Sequence, residues 1–249
     1  MSKIFCLRRI QTDKLIIMIT FNNLKKSYSR NVVLEINSLD IPKGQAFGLV
    51  GNNGAGKTTL FSLLLDLIKP TKGKVINNNI DVKESEDWKS FTSAFLDESF
   101  LISYLLPEEY FYFIGDLRGV SKREVDNFLN QFEDLFNGEI LGGKKYIRDL
   151  SKGNQKKVGI IAALIGSPKI IILDEPFANL DPTTQIRLKK IIKKLAQEKE
   201  TTILVSSHDL QDVTEVSERI VLLEKGKIVR DIKTDSKTLK ELEEYFTKE

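Results

Sequence analysis

"GNNGAGKT", residues 51–58, follows the apolar run "QAFGLV" and opens a helix expected from about Lys57 to Leu67. The spacing is G-x-x-x-x-G-K-[ST], set between a strand and a helix, the context in which this pattern has a mechanism. Glycines let successive backbone N–H groups curl around phosphate oxygens without Cβ clashes. The helix behind them adds free N–H groups and the positive end of its dipole. Gly51, Asn52, Asn53, Gly54, Ala55 and Gly56 are therefore expected to wrap a phosphate, with Lys57 reaching the β- and γ-phosphates. Thr58, with Thr59 beside it, is expected at Mg²⁺. Taken alone, the loop defines a nucleotide binder and leaves kinase, GTPase and motor open.

An acidic partner for that loop lies at the end of a second apolar strand. "IIILDEP" buries its isoleucines and releases Asp174 and Glu175 at the carboxyl end, where ligands bind in open α/β sheets. Asp174 suits Mg²⁺, directly or through water, and Glu175 suits polarising a water for attack on a γ-phosphate. The bland alternative is a carboxylate pair capping a loop before Pro176. His208 in "LVSSHDL" is the only histidine. It ends a further buried strand, where an imidazole can hydrogen-bond a γ-phosphate. A lone histidine is more often an ordinary loop residue, but its place after the next strand favours function.

The rest of the chain alternates accordingly. Strands are expected at 18–24 and 32–41 around "SYSRN", then in "TKGKVINNN" and in "TSAFL" at 92–96. Residues 99–165 turn helical. There "SKREVDNFLNQFEDLF" sets Val125, Phe128, Leu129, Phe132, Leu135 and Phe136 on one face, behind a Ser121–Glu124 capping box. Asp181 caps a helix whose first position is Pro182, "TTILVSS" is another buried strand, and "RIVLLEKGKIVR" is a hairpin turning at Lys225–Gly226. Leu239, Leu242 and Phe246 mark a C-terminal helix over about 236–247.

Composition narrows the function classes. The 249 residues can bury a sizeable core, and 38 basic against 35 acidic side chains leave a net charge of +3. That balance argues against nucleic acid or an anionic membrane as the main partner. One cysteine, Cys6, excludes an intramolecular disulfide. The longest apolar stretch, "VGIIAALIGSPKIIIL", is interrupted by Ser167, Pro168 and Lys169, whereas a membrane span needs about 20 apolar residues. Residues 1–17 are basic, carry no secretory cleavage pattern and read as a dispensable extension before a domain at 18–249.

With these residues in place, the chain resembles the ATP-binding subunits of ABC transporters from about Ile19 to Arg230, its motifs falling in the family's order. "GNNGAGKTT" looks like Walker A, "IIILDEP" like Walker B, "NLDP" at 179–182 like the D-loop, and His208 like the switch histidine. The resemblance implies an α/β fold: a P-loop NTPase core with a mostly parallel sheet, an N-terminal antiparallel β subdomain and an inserted α-helical subdomain. Tyr28 stands where the family stacks an aromatic on adenine; its alternative is an exposed turn tyrosine. The family's L-S-G-G-Q signature is here Leu150, Ser151, Lys152, Gly153, Asn154. In the family two subunits bind head to tail, and the signature of each completes the ATP site of the other. Ser151 and Gly153 would then offer a helix N-terminus to a γ-phosphate in trans, with Asp181 in the adjoining D-loop. The family's Q-loop glutamine is best matched by Glu98, a candidate for Mg²⁺ or its water, with Asp97 as the neighbouring register. Asn52 replaces a common proline.

The resemblance implies a motor that binds and hydrolyses ATP with Mg²⁺. It would work as a homodimer or with a paired ATP-binding subunit, on the cytoplasmic face of a membrane, through an integral membrane permease and without nucleic acid. The compact form and the S-K-G signature look most like bacterial exporters of the ABC-2 type. Phe95, Phe100, Tyr104 and Leu105 are candidates for the groove that seats the membrane partner; the alternative, commoner for single aromatics, is that they are core. A soluble relative acting on ribosomes or DNA is the alternative, but neither a second such domain with a basic linker nor a long coiled coil is present. A non-hydrolysing clamp is disfavoured because Glu175 and His208 fill both hydrolytic positions.

Overall fold

The computed structural model describes residues 16–247. It opens with a long hairpin, β1 (Ile17–Tyr28) and β2 (Asn31–Pro42), whose two-residue turn places Ser29 at φ 53°. Both strands therefore run further into "SYSRN" than the sequence suggests. Ile17 already pairs with Pro42; residues 1–15 of the expected extension lie outside the described residues. There follow β3 (Ala46–Val50), α1 (Lys57–Leu64), β4 (Lys72–Asn77), β5 (Ile80–Asp81) and β6 (Thr92–Phe95). The helical stretch holds α2 (Pro107–Leu117), α3 (Lys122–Leu129), α4 (Glu133–Phe136) and α5 (Lys152–Leu164). A 3₁₀ turn at Asn130–Phe132 divides what the periodicity presents as one helix into α3 and α4. The chain ends with β7 (Ile170–Leu173), α6 (Pro182–Glu198), β8 (Thr202–Ser207), α7 (Leu210–Val216), β9 (Arg219–Glu224), β10 (Lys227–Lys233) and α8 (Thr238–Thr247).

Two sheets result. The first is antiparallel, in the order β2-β1-β4-β5. The second has the order β10-β9-β3-β8-β7-β6, parallel except for β10. Side chains alternate across a strand, so a strand covered on both faces reads as an unbroken apolar run. β7 shows this: Ile170 and Ile172 face a core shared with α1 and the antiparallel sheet, while Ile171 and Leu173 face a core shared with α5 and α6. Each such side chain contributes on the order of 1.5–3 kcal/mol by leaving water.

Helix α5 is enclosed between the helical stretch and the sheet, and Asn154–Leu164 are all buried. That is why its sequence lacks an amphipathic stripe. Its close approach to β6 depends on Gly159, where a Cβ would lie 2.1 Å from the Phe95 ring. The end of α2 is tied to the same strand by Arg118. Its guanidinium donates to the carbonyls of Lys89, Ser90 and Thr92 and to the Ser93 hydroxyl.

Candidate functional site

Strand order decides which loops meet. In the second sheet Val50 is level with Ser207, Val205 with Leu173, and Leu173 with Phe95. The segments leaving β3, β8, β7 and β6 therefore emerge side by side at one carboxyl edge. They are the glycine loop, His208, Asp174–Glu175 and Asp97–Glu98.

The loop after β3 turns through Gly56, which takes φ 109° at the N-cap of α1. A Cβ there would be strained, and it would also come within 3.2 Å of Val33 O. This left-handed step starts the helix directly behind the loop and exposes its first N–H groups. A cavity of about 260 Å³ opens there, lined by Val33, Asn53, Gly54, Ala55, Gly56, Lys57, Thr58, Thr59 and Glu175. Gly51 and Asn52 do not line it. The Lys57 ammonium, nearly buried, donates to Gly51 O at 2.7 Å and to Asn52 O at 3.4 Å.

The acids sit opposite. Asp174 is buried, accepting from Thr58 Oγ1 at 2.5 Å and from the Ser206 hydroxyl. Burial pushes its carboxyl above the usual range, partly offset by those hydroxyls. Glu175 is 24% exposed and forms an ion pair with Lys57 at 3.1 Å through Oε1. That oxygen is otherwise buried without an aligned donor. Its other oxygen, Oε2, lies 2.8 Å from His208 Nδ1 and accepts from His208 N at 3.3 Å. Burial opposes ionisation of Glu175. The Lys57 charge, with the hydrogen bond from His208, outweighs it and holds the carboxyl below its ordinary value. One site thus joins a phosphate-wrapping loop, a lysine, a hydroxyl–carboxylate pair and an ionised glutamate with acceptor capacity facing the loop.

The remaining residues named from sequence fall elsewhere. Ser151 caps α5 by accepting from Asn154 N at 3.2 Å, which leaves its own O–H free to donate. With Gly153, Asn179 and Asp181 it lines a separate cavity of about 560 Å³. Asp181 caps α6, both its oxygens engaged by Thr184, and its carboxyl is held low by those bonds. Asn154 donates to Glu139 at 2.8 Å. Tyr28 is 54% exposed with Lys26 over its ring, and it does not line the loop's cavity. Asp97 is spent on capping the turn at Glu98–Phe100, accepting from Ser99 N at 2.6 Å. Glu98 pairs with Lys156 at 3.8 Å and makes no bond to Thr58 or Asp174. Phe95 is core, not groove: it is 3% exposed, against Gly159, and Leu105 is partly buried, whereas Phe100 and Tyr104 are open.

Two residues of the site escaped the sequence reading. Ser206 holds both Asp174 and the backbone N–H of Glu175; its only signal was its place two residues before His208. Lys156 sits inside the polar, basic run "KGNQKK", yet it is buried and donates to the carbonyls of Glu175 and Ala178. Burial lowers its pKa, while Glu98, Glu175, Asp174 and Asp97 push it back up.

Fold and site together define a P-loop ATPase. The family model described as "ABC transporter" matches residues 34–178, and the chain belongs to that family. The "Uncharacterized ABC transporter ATP-binding protein YhaQ" of Bacillus subtilis (strain 168) is 34% identical over 237 residues, covering 93% of this chain and 74% of that protein. The "Lantibiotic transport ATP-binding protein SrtF" of Streptococcus pyogenes is 33% identical over 230 residues, covering 90% and 95%. A solved structure described as the dimeric post-hydrolysis state of the ATP-binding cassette MJ0796 bound to ADP and Pi matches with a TM-score of 0.77 at 26% identity. It covers 88% of this chain and all of that one. The protein is an ATP-binding and ATP-hydrolysing transport subunit that acts through a membrane partner. Among the described residues, no helix is long and apolar enough to cross a membrane.

Proposed function

We propose that this chain hydrolyses Mg-ATP at the carboxyl edge of its second sheet, in a head-to-tail pair on the cytoplasmic face of a membrane, and that it powers export. One observation carries the chemical part. Glu175 lies between Lys57 of the phosphate loop and His208, with one oxygen lacking an aligned donor. A carboxylate so placed accepts the proton of a water aimed at a γ-phosphate, and His208 holds the carboxylate's orientation. Phosphate oxygens compete with Glu175 for Lys57, so substrate entry frees the acid as it fills the loop.

The donors present fit Mg²⁺. Thr58 and Asp174 already share a hydrogen bond at 2.5 Å, and both offer hard oxygens at the edge of the loop. When bound, the ion neutralises charge developing across the β- and γ-phosphates. Glu98 belongs to the surrounding charge, through Lys156. Ser151 and Gly153 line a different cavity from Lys57, which supports their serving a second copy's nucleotide. Phe100 and Tyr104 are exposed, with Arg148 stacked 4.5 Å from the Tyr104 ring, a surface suited to a membrane partner's apolar helix. Export follows from the form of the signature, Ser151-Lys152-Gly153, which looks most like that of bacterial exporters of the ABC-2 type.

The test is Glu175→Gln. Steady-state hydrolysis should fall by at least about 100-fold while ATP still binds. Turnover like that of the unsubstituted protein would remove Glu175 from the chemistry.

A further inference from the structure

Lys156 is 6% exposed, and its ammonium meets three groups. It donates to Glu175 O and Ala178 O, each at 3.0 Å, and lies 3.8 Å from the Glu98 carboxylate. Glu175 is held at φ 47°, an unfavourable conformation for a residue with a Cβ, so its backbone needs outside anchors. Ser206 grips its N–H and Lys156 grips its carbonyl. Lys156 also stands on α5, five residues from the Ser151 cap, roughly 7.5 Å along one rigid helix.

We infer that Lys156 is a positioning residue that clamps the backbone of Glu175 to helix α5, so that contact at the N-terminus of α5 moves the acid of the same chain's own ATP site. This rests on the reading above, in which Ser151 serves the partner's ATP and Glu175 acts on water. Glu98, standing in the family's glutamine position, supplies the counter-charge that lets a buried ammonium occupy this place. Glu98 and Lys156 act as one unit.

The test uses the full chain with Mg-ATP. Lys156→Met should lower kcat about 10- to 100-fold while KM stays within about twofold, because the acid is misaimed and the phosphate loop is untouched. Lys156→Arg, which keeps charge and donors, should recover most of kcat. Without nucleotide, amide exchange over residues 175–180 should quicken in the methionine variant and not in the arginine one. The inference is overturned by a methionine variant with unchanged kcat, or by one whose kcat and ATP affinity fall together without recovery by arginine. Should the methionine variant fail to fold, Lys156→Gln decides: it should show reduced kcat at unchanged KM, and full kcat overturns the inference. Glu175→Gln measured alongside separates the two readings. If it hydrolyses normally, the assignment of Glu175 falls and takes this inference with it. If it is inactive while Lys156→Met is fully active, this inference alone falls.

Discussion

Glu175 and Ser151 show how one side chain carries two tasks without conflict. Glu175 spends one oxygen on His208 and keeps the other toward Lys57, and its left-handed backbone turns its carbonyl back to Lys156. Ser151 spends one lone pair on the cap of α5 and leaves its O–H free to donate. Lys152, next to it, is exposed and folds back on Gln155 at 3.4 Å. The two neighbours should therefore respond differently. Ser151→Arg should abolish most ATPase activity, because a guanidinium fills the cavity shared with Gly153 and Asn179. Lys152→Gly should stay within about threefold of the unsubstituted rate, as exposed changes of this kind do. A steady-state ATPase assay of both variants checks the pair, and loss of activity in Lys152→Gly would place that ammonium in the site.

Among the elements, α5 carries the most. It starts at the Ser151 cap, grips Glu175 through Lys156 and packs against β6 at Gly159. The last contact leaves no room for a methyl group. Gly159→Ala should destabilise the fold by about 1–3 kcal/mol, the usual result of overpacking, even though alanine favours helix. Urea denaturation measures this. Phe95→Leu combined with Gly159→Ala should recover part of the loss, since the clash is with the Phe95 ring. A fully additive double variant would show that the two positions are not coupled.

For the whole molecule, the two cavities are the decisive feature. The phosphate loop lines one and Ser151 and Gly153 line the other, so on the proposed function each chain holds two unlike halves. Halves of that kind join only when a second copy is inverted against the first, a closed two-fold arrangement. With hydrolysis blocked, the nucleotide becomes part of that interface. Glu175→Gln should therefore elute as a dimer in size-exclusion chromatography with Mg-ATP and return to monomer when EDTA removes the metal. The unsubstituted protein should not accumulate the dimer, because turnover reopens it. A Glu175→Gln protein that stays monomeric with Mg-ATP would contradict the head-to-tail arrangement.

The sequence by itself determined the local chemistry: the phosphate loop between strand and helix, Asp174 and Glu175 at a strand end, His208 at another, and the caps at Ser121 and Asp181. Those features depend on residue type and short spacing, which a linear pattern preserves. The covered strands were legible too, because strands buried on both faces are apolar throughout. Tertiary structure alone decided the rest. The order β3-β8-β7-β6 brings the four loops to one edge, and no local signal encodes which strands become neighbours. The basic run around Lys156 gives no sign that its ammonium is buried until α5 is enclosed, and Phe95 stays open between groove and core until Gly159 packs on it. Burial is a property of what the rest of the chain places around a residue, and only the folded chain supplies it.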